Sequence, residues 1–347
     1  VRTETIVYAA LLLAAAATRF NDLETRVMSH DESLHTYYSW ELFKGRGFQH
    51  TPLMHGPLQF HLVALSYFLF GDSDASARVP AALSGVLAVG MLFFYSRWLG
   101  RTGALVAAGL LLISPYMLYY SRYVRNEMFV VLEVLLCYWA TFRYFETRQP
   151  RWLTLMAFAW SLHAMSKETY FIYAAQALIF FGAFLAWQLF RRKWANETLR
   201  ILFLVGLVVT VFGSGMGMVS YFQGRAAGEG ASPEALAPLD PEAAVAPTAV
   251  LSPLVALGGI LGLAGLALIG AALIWEFGRK LRTEFPALDV ALVLGTLTLP
   301  QLGAIPSNLL GWDPLAYQDP SSFNRTMIVV IVLVLIAAAL GVAWDWR

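Results

Sequence analysis

The chain has 347 residues, 58% of them hydrophobic and 14% charged, with a formal net charge of +1. That charged fraction is well below the roughly 25% of a soluble domain, and the near-neutral balance excludes a general nucleic-acid binder, which needs a basic face. The single cysteine, Cys137, lies in an apolar run and excludes an internal disulfide framework or a cysteine metal cluster.

Apolar runs of the length a bilayer requires recur along the whole chain. In order they are Thr5–Arg19, Ala77–Trp98, Gly103–Tyr120, Asn126–Tyr144, Trp152–Met165, Thr169–Phe190, Leu199–Tyr221, Leu251–Trp275, Ala287–Ala304 and Arg325–Trp344. The first and fifth are short for a span. A further short run, Gly56–Phe70, opens on Gly56-Pro57 and carries His61, so it reads as an interfacial or re-entrant helix. The fold class expected is therefore an all-α polytopic membrane protein of roughly ten transmembrane helices. Interfacial helices are expected in the first outer loop, 23–76, and residues 1–347 read as one transmembrane domain.

Lysine and arginine placement sets the orientation. With the N-terminus in the cytoplasm, the short basic segments Arg97–Arg101, Arg143–Arg151, Arg191–Arg200 and Arg279–Arg282 all fall on the cytoplasmic side. The opposite side receives Arg19–Pro57, Ser121–Arg125, Ser166–Glu168, Gln223–Val250 and Pro306–Asn324. The stretch Gln223–Val250 is rich in Ala, Pro, Gly and acids and reads as a flexible outer loop. Ala14–Ala17 are small enough for a signal cleavage site, but further spans follow, so no cleavable leader is read there. No Walker or dinucleotide motif is present.

The most informative local feature is the polar island Ser29-His30-Asp31-Glu32-Ser33, just after the first apolar run. Carboxylates beside a bilayer are costly and tend to line polar cavities or the water boundary. The same outer side gathers His35 and His55, then Arg122, Arg125 and Glu127, then Lys167 and Glu168, and finally Asp313, Asp319 and Arg325. Outward-facing arginines run against the positive-inside tendency, and an anionic ligand such as a lipid phosphate would favour them there. Simpler roles stand beside this one. Asp31-Glu32 can cap and charge the start of a helix through Leu34–Phe43. Arg122 and Arg125 can pair with Glu127 or lipid headgroups, and Lys167-Glu168 can form a local ion pair at a turn. His30, His35 and His55 with Asp31 or Glu127 offer imidazole and carboxylate, which suit zinc or manganese, so a divalent metal is an open alternative.

The ordered set His30-Asp31-Glu32-Ser33, His55-Gly56-Pro57-Leu58, Ala77-Arg78-Val79-Pro80-Ala81-Ala82, Arg122-Tyr123-Val124-Arg125-Asn126-Glu127, Ser166-Lys167-Glu168 and Gly311-Trp312-Asp313-Pro314 covers most of the chain. It resembles the GT-C superfamily of membrane glycosyltransferases, the group of the protein O-mannosyltransferases and the aminoarabinose transferase of lipid A. Within it, the chain is most similar to a flippase-activity-associated, mannosyltransferase-like branch found in prokaryotes. The resemblance implies an integral protein of a prokaryotic plasma membrane, with a polyprenyl-phosphate sugar donor and an acceptor hydroxyl on the non-cytoplasmic face. It implies Asp31 as general base with Glu32 in the catalytic pair. Arg122, Arg125 and Lys167 would bind the donor phosphate, supported by His30, His55, Glu127 and Glu168. Membrane lipids and other membrane subunits are the remaining expected partners. Two rival readings keep the same fold: a non-catalytic accessory subunit of a larger membrane complex, and a lipid-sugar flippase.

Overall fold

A computed structural model describes residues 3–47, 55–229, 253–312, 314 and 319–346. Among them the secondary structure is entirely helical. The chain divides into two compact units, Val1–Ala177 and Leu178–Arg347.

The first unit begins with α1 (Thr3–Phe20), followed by α2 (His30–Phe43) and α3 (Leu58–Phe70), then α4 (Asp74–Met91) and α5 (Ser96–Ile113). The short α6 (Pro115–Tyr120), α7 (Glu127–Thr147), α8 (Pro150–Ser166) and the start of α9 (Thr169–Phe190) complete it. Local chemistry fixes these boundaries. Ser29 caps α2 in a reciprocal box: its hydroxyl accepts from the Glu32 backbone N–H, and the Glu32 carboxylate accepts from the Ser29 N–H. Ser73 and Ser76 make the same arrangement at α4. Proline opens α6 and α8, where its missing N–H costs nothing.

The second unit holds the rest of α9, α10 (Glu197–Glu229), α11 (Pro253–Phe277), the short α12 (Lys280–Glu284), α13 (Pro286–Thr298), α14 (Ala304–Leu309) and α15 (Pro320–Trp346). Its tightest feature is the α10–α11 pair. A Cβ added at Gly258 would lie 2.5 Å from the Gly217 backbone N and 2.6 Å from the Gly213 carbonyl oxygen. One at Gly265 would lie 2.5 Å from the Thr210 N. Only glycine permits this backbone approach, the usual device where helices associate without a hydrophobic drive. An apolar cluster of Leu189, Phe203, Leu273, Phe277 and Phe285 closes one end of the unit.

Seven helical segments among the described residues are long and apolar enough to span a bilayer: Asp74–Ile113, Glu127–Thr147, Thr169–Phe190, Glu197–Tyr221, Pro253–Phe277, Pro286–Asn308 and Pro320–Trp344. The protein is an integral membrane protein. The ten expected runs are largely helical, and the lower count has three local causes. The 40-residue segment Asp74–Ile113 contains two expected runs, broken at Gly100, whose φ of 70° and ψ of 166° are not helical. The other two are α1 and α8, which do not reach the length and apolarity of the seven. Helix α10 also extends to Glu229, so the first seven residues of the expected loop Gln223–Val250 are helical. The remainder of that loop lies outside the described residues, as does Asp313.

Candidate functional site

The polar island has two carboxylates with opposite fates. Successive residues on a helix point about 100° apart, and here one points inward. The Glu32 side chain is fully buried. It accepts from Arg78 Nε at 2.9 Å and Arg78 Nη2 at 3.1 Å, and from Arg26 Nη2 at 2.8 Å. Backbone N–H groups of Val124 at 3.1 Å and Ser29 at 3.2 Å complete its shell. Arg78 is equally buried, and its Nη1 donates to the carbonyls of Leu23 and Arg26. One ion pair therefore ties the first loop to α4 and to the turn before α7. Burying such a pair costs several kcal/mol per ion unless every lone pair and proton is matched, and here five donors reach one carboxylate. With its oxygens so engaged, Glu32 is held inside a buried ion pair.

Asp31 remains partly open, with 43% of its side chain exposed. Its Oδ2 accepts from Arg125 Nη1 at 2.6 Å. Arg125 Nε lies 3.6 Å from Glu127 Oε1, and the same Glu127 oxygen accepts from Lys167 Nζ at 2.7 Å. The result is a row of alternating charges, Asp31–Arg125–Glu127–Lys167, drawn from α2, the turn before α7, the first residue of α7 and the residue just after α8. Lys167 is placed by the end of α8, where its backbone becomes extended. Glu127 Oε2 and Arg125 Nε are buried without a hydrogen bond among the described residues. The row thus retains polar capacity that an incoming ligand can use.

Histidines flank the row. His35 Nδ1 lies 2.7 Å from the Asp31 carbonyl oxygen. A carbonyl only accepts, so Nδ1 carries the proton and Nε2 is left as a buried lone pair without a partner among the described residues. Burial pushes the His35 pKa below its usual value; the Asp31 backbone hydrogen bond opposes that shift, and His55 and Arg125 add to it. The ring stacks on Phe60 at 5.5 Å and lies 6.3 Å from the His55 ring. His55 is a non-glycine residue at φ 61° and pairs with Glu168 at 2.7 Å. His30 is exposed at the first turn of α2. Among the described residues no three His, Cys, Asp or Glu side chains come together to hold a metal ion. His35 is tied to a carbonyl and stacked on Phe60, and His55 is tied to a carboxylate.

Arg122 is not brought to this row. Its guanidinium donates to the carbonyls of Thr18 at 3.0 Å, Asn21 at 2.5 Å and Asp22 at 3.0 Å, covering the C-terminal end of α1. Free carbonyls at a helix end favour a cation there. Of the three expected phosphate ligands, the structure groups Arg125 and Lys167 and sets Arg122 apart.

Residues 54–214 match the family described as dolichyl-phosphate-mannose-protein mannosyltransferase. The match supports a glycosyltransferase of the GT-C type. No curated protein matches the chain. The matched segment contains His55, Arg78, Arg125, Glu127, Lys167 and Glu168, whereas Asp31 precedes it. Asp31 enters the same site through its bond to Arg125.

Arg78 and Arg26 are the residues that sequence reading left without a role. An arginine in the first turns of an apolar helix is the signal for Arg78: such a charge persists only if something pairs with it. Arg26 had no such flag. Its place follows from the Tyr119 and Tyr123 rings, which lie 5.1 and 5.0 Å from its guanidinium.

Proposed function

We propose that this protein transfers a sugar from a polyprenyl-phosphate donor to an acceptor hydroxyl on the non-cytoplasmic face, with Asp31 as general base. The observation that carries the reading is the partly open Asp31 carboxylate at the end of a row containing Arg125 and Lys167, beside the matched segment. A carboxylate within hydrogen-bond reach of a hydroxyl can take its proton as the new glycosidic bond forms. The phosphate leaves with the electron pair of the broken anomeric bond. Developing charge on it is stabilised by fixed cations in a partly dry site. Arg125 and Lys167 meet that requirement when Glu127 yields some of their N–H groups to phosphate oxygens. Arg125 also orients Asp31, so it couples the phosphate position to the base. A donor anchored in the same bilayer as the site lowers the cost of bringing the reactants together.

The test is transfer of mannose from a polyprenyl-phosphate mannose to a panel of hydroxyl acceptors by the purified chain in lipid. Product dependent on Lys167 supports the reading, with Lys167→Met expected to lose at least ten-fold. No product from the parent chain across donors and acceptors would favour the accessory-subunit role. Orientation is tested separately. A cysteine at Leu236 is expected to label from outside intact cells, and one at Arg192 is not. Labelling of both from one side would reject the assigned face.

A further inference from the structure

A second site lies on the other side of α2. Ser33, Thr36, Tyr37 and Trp40 recur at i, i+3, i+4 and i+7 and share one face of that helix. Trp40 is nine residues from Asp31, about two and a half turns, so this face is opposite the Asp31 carboxylate. Together with Tyr67 of α3 and the 72–74 turn it lines a cavity of about 290 Å³, at the small end of small-molecule sites.

The polar groups of this cavity are unevenly matched. Tyr67 is only 5% exposed and lines the cavity. Burial, with Asp74 and Asp72 nearby, pushes its pKa up to about 12, so it is a standing donor. Most of the other groups presented are acceptors, and the Tyr37 hydroxyl can act either way. The Ser33 hydroxyl already donates to the Ser29 carbonyl at 2.9 Å, and Thr36 to the Glu32 carbonyl at 2.8 Å, which leaves their oxygens free to accept. Asp74 offers a carboxylate with no partner among the described residues. Asp72 is held in place by the Trp40 indole N–H at 2.8 Å and by Lys44 at 3.3 Å. Trp40 is therefore fixed at its edge, and Lys44 and Arg46 lie over its ring. Tyr37, more than half exposed, is the aromatic wall left open.

A ligand for this cavity must bring several donors, accept one, and present an apolar face to Tyr37. A sugar ring has that composition. The geometry points to a carbohydrate-binding subsite between α2, α3 and the start of α4, separate from the Asp31 row, sized for a single sugar residue. The inference goes beyond the proposed transfer reaction and does not depend on it. The sugar can belong to a soluble glycan or to a glycolipid headgroup.

The experiment is ligand-observed saturation-transfer NMR on the full chain in phosphatidylcholine nanodiscs. The probes are methyl α-mannoside, methyl β-glucoside and, as the cationic control, ethanolamine. Saturable binding of at least one glycoside is expected. Tyr67→Phe and Asp74→Asn should each weaken it about ten-fold or more, and Asp31→Asn should leave it unchanged. Tyr67→Phe keeps the packing ring, and Asp74 is the exposed first residue of α4, so Asp74→Asn carries the test if the first variant folds poorly. Competition by a mannosyl-diacylglycerol placed in the nanodisc would assign the sugar to a lipid headgroup, and its failure to compete would assign it to a soluble glycan. No saturable glycoside binding would overturn the proposal. So would binding that survives both cavity variants, binding lost in Asp31→Asn, or stronger binding of ethanolamine.

Discussion

The two units of this chain solve the same problem in different ways. Both must pack helices where lipid offers no hydrophobic drive between them. The second unit does so by removing side chains: Gly213, Gly217, Gly258, Gly262 and Gly265 bring two backbones into contact. The first unit does so by burying charge. Arg19, Glu32, Arg78 and Glu133 are buried there, whereas among the described residues Asp289 is the one buried acid or base of the second unit. Glycine contacts ask only that a position be small. A buried ion pair asks for particular partners at particular angles, and it fixes the segments that carry them. The Glu32–Arg78 pair holds the start of α2 and the turn before α7 in place, and these segments present Asp31 and Arg125. The charged unit is accordingly the one that can hold a reacting geometry, and the family match falls mostly within it.

Substitutions can break this contrast, and the largest effect is expected at the ion pair. Arg78→Ala leaves Glu32 buried without its main partner, which costs about 3–5 kcal/mol. Loss of the folded protein, or a large drop in melting temperature in detergent, is the expected outcome. A small drop would mean that the pair is not the anchor of the first unit. In the second unit, Gly258→Ala forces a methyl against the backbone around Gly217, and overpacking of this kind costs about 1–3 kcal/mol. Its neighbour Gly259 has no atom within 4 Å of an added Cβ. Gly259→Ala should therefore be neutral or slightly stabilising. Equal melting shifts at both positions would contradict the close approach.

Smaller effects sharpen the comparison within the first unit. Ser29→Ala removes the cap of α2 and should cost about 1 kcal/mol, whereas Ser29→Asp keeps a capping oxygen and should cost little. The smallest effect is a pH dependence at His35. Its folded pKa lies below the ordinary 6.5 because burial disfavours the charged ring. The unfolded chain then binds more protons in that window, so stability rises with pH. The contribution is fully present above about pH 6.5 and is lost as pH falls toward and below the folded value. Melting at pH 7.5 and pH 5.5 should differ less in His35→Phe than in the parent. An unchanged difference would place the titration elsewhere.

Much of the fold is legible in the sequence because apolar length is a direct physical requirement of a bilayer. The ten expected runs map onto helices, and only the joint at Gly100 and the shortness of α1 and α8 separate that reading from seven spans. The site is legible in part. The polar island, Arg125, Glu127 and Lys167 stand out as polar groups in an apolar chain, and they do come together. Which of two adjacent carboxylates points inward was not readable, since that is decided by Arg78, 46 residues further on. Arg122 and Arg125 look equivalent as neighbours in sequence. The non-helical turn that carries them sends one to the end of α1 and the other to Asp31. The second cavity was invisible for a related reason: its lining comes together only when α3 and the start of α4 are placed against α2.

The central claim is that Asp31 reacts while Glu32 holds the scaffold. Its most direct test is one measurement on two isosteric variants: sugar transfer per folded molecule, with melting temperature alongside, for Asp31→Asn and Glu32→Gln. Asp31→Asn should melt as the parent does and lose on the order of 10²–10⁴ in rate, the usual scale for a missing general base. Glu32→Gln should lower the melting temperature clearly. Full turnover in Asp31→Asn, or a melting loss there as large as that of Glu32→Gln, would contradict the division of labour between the two carboxylates.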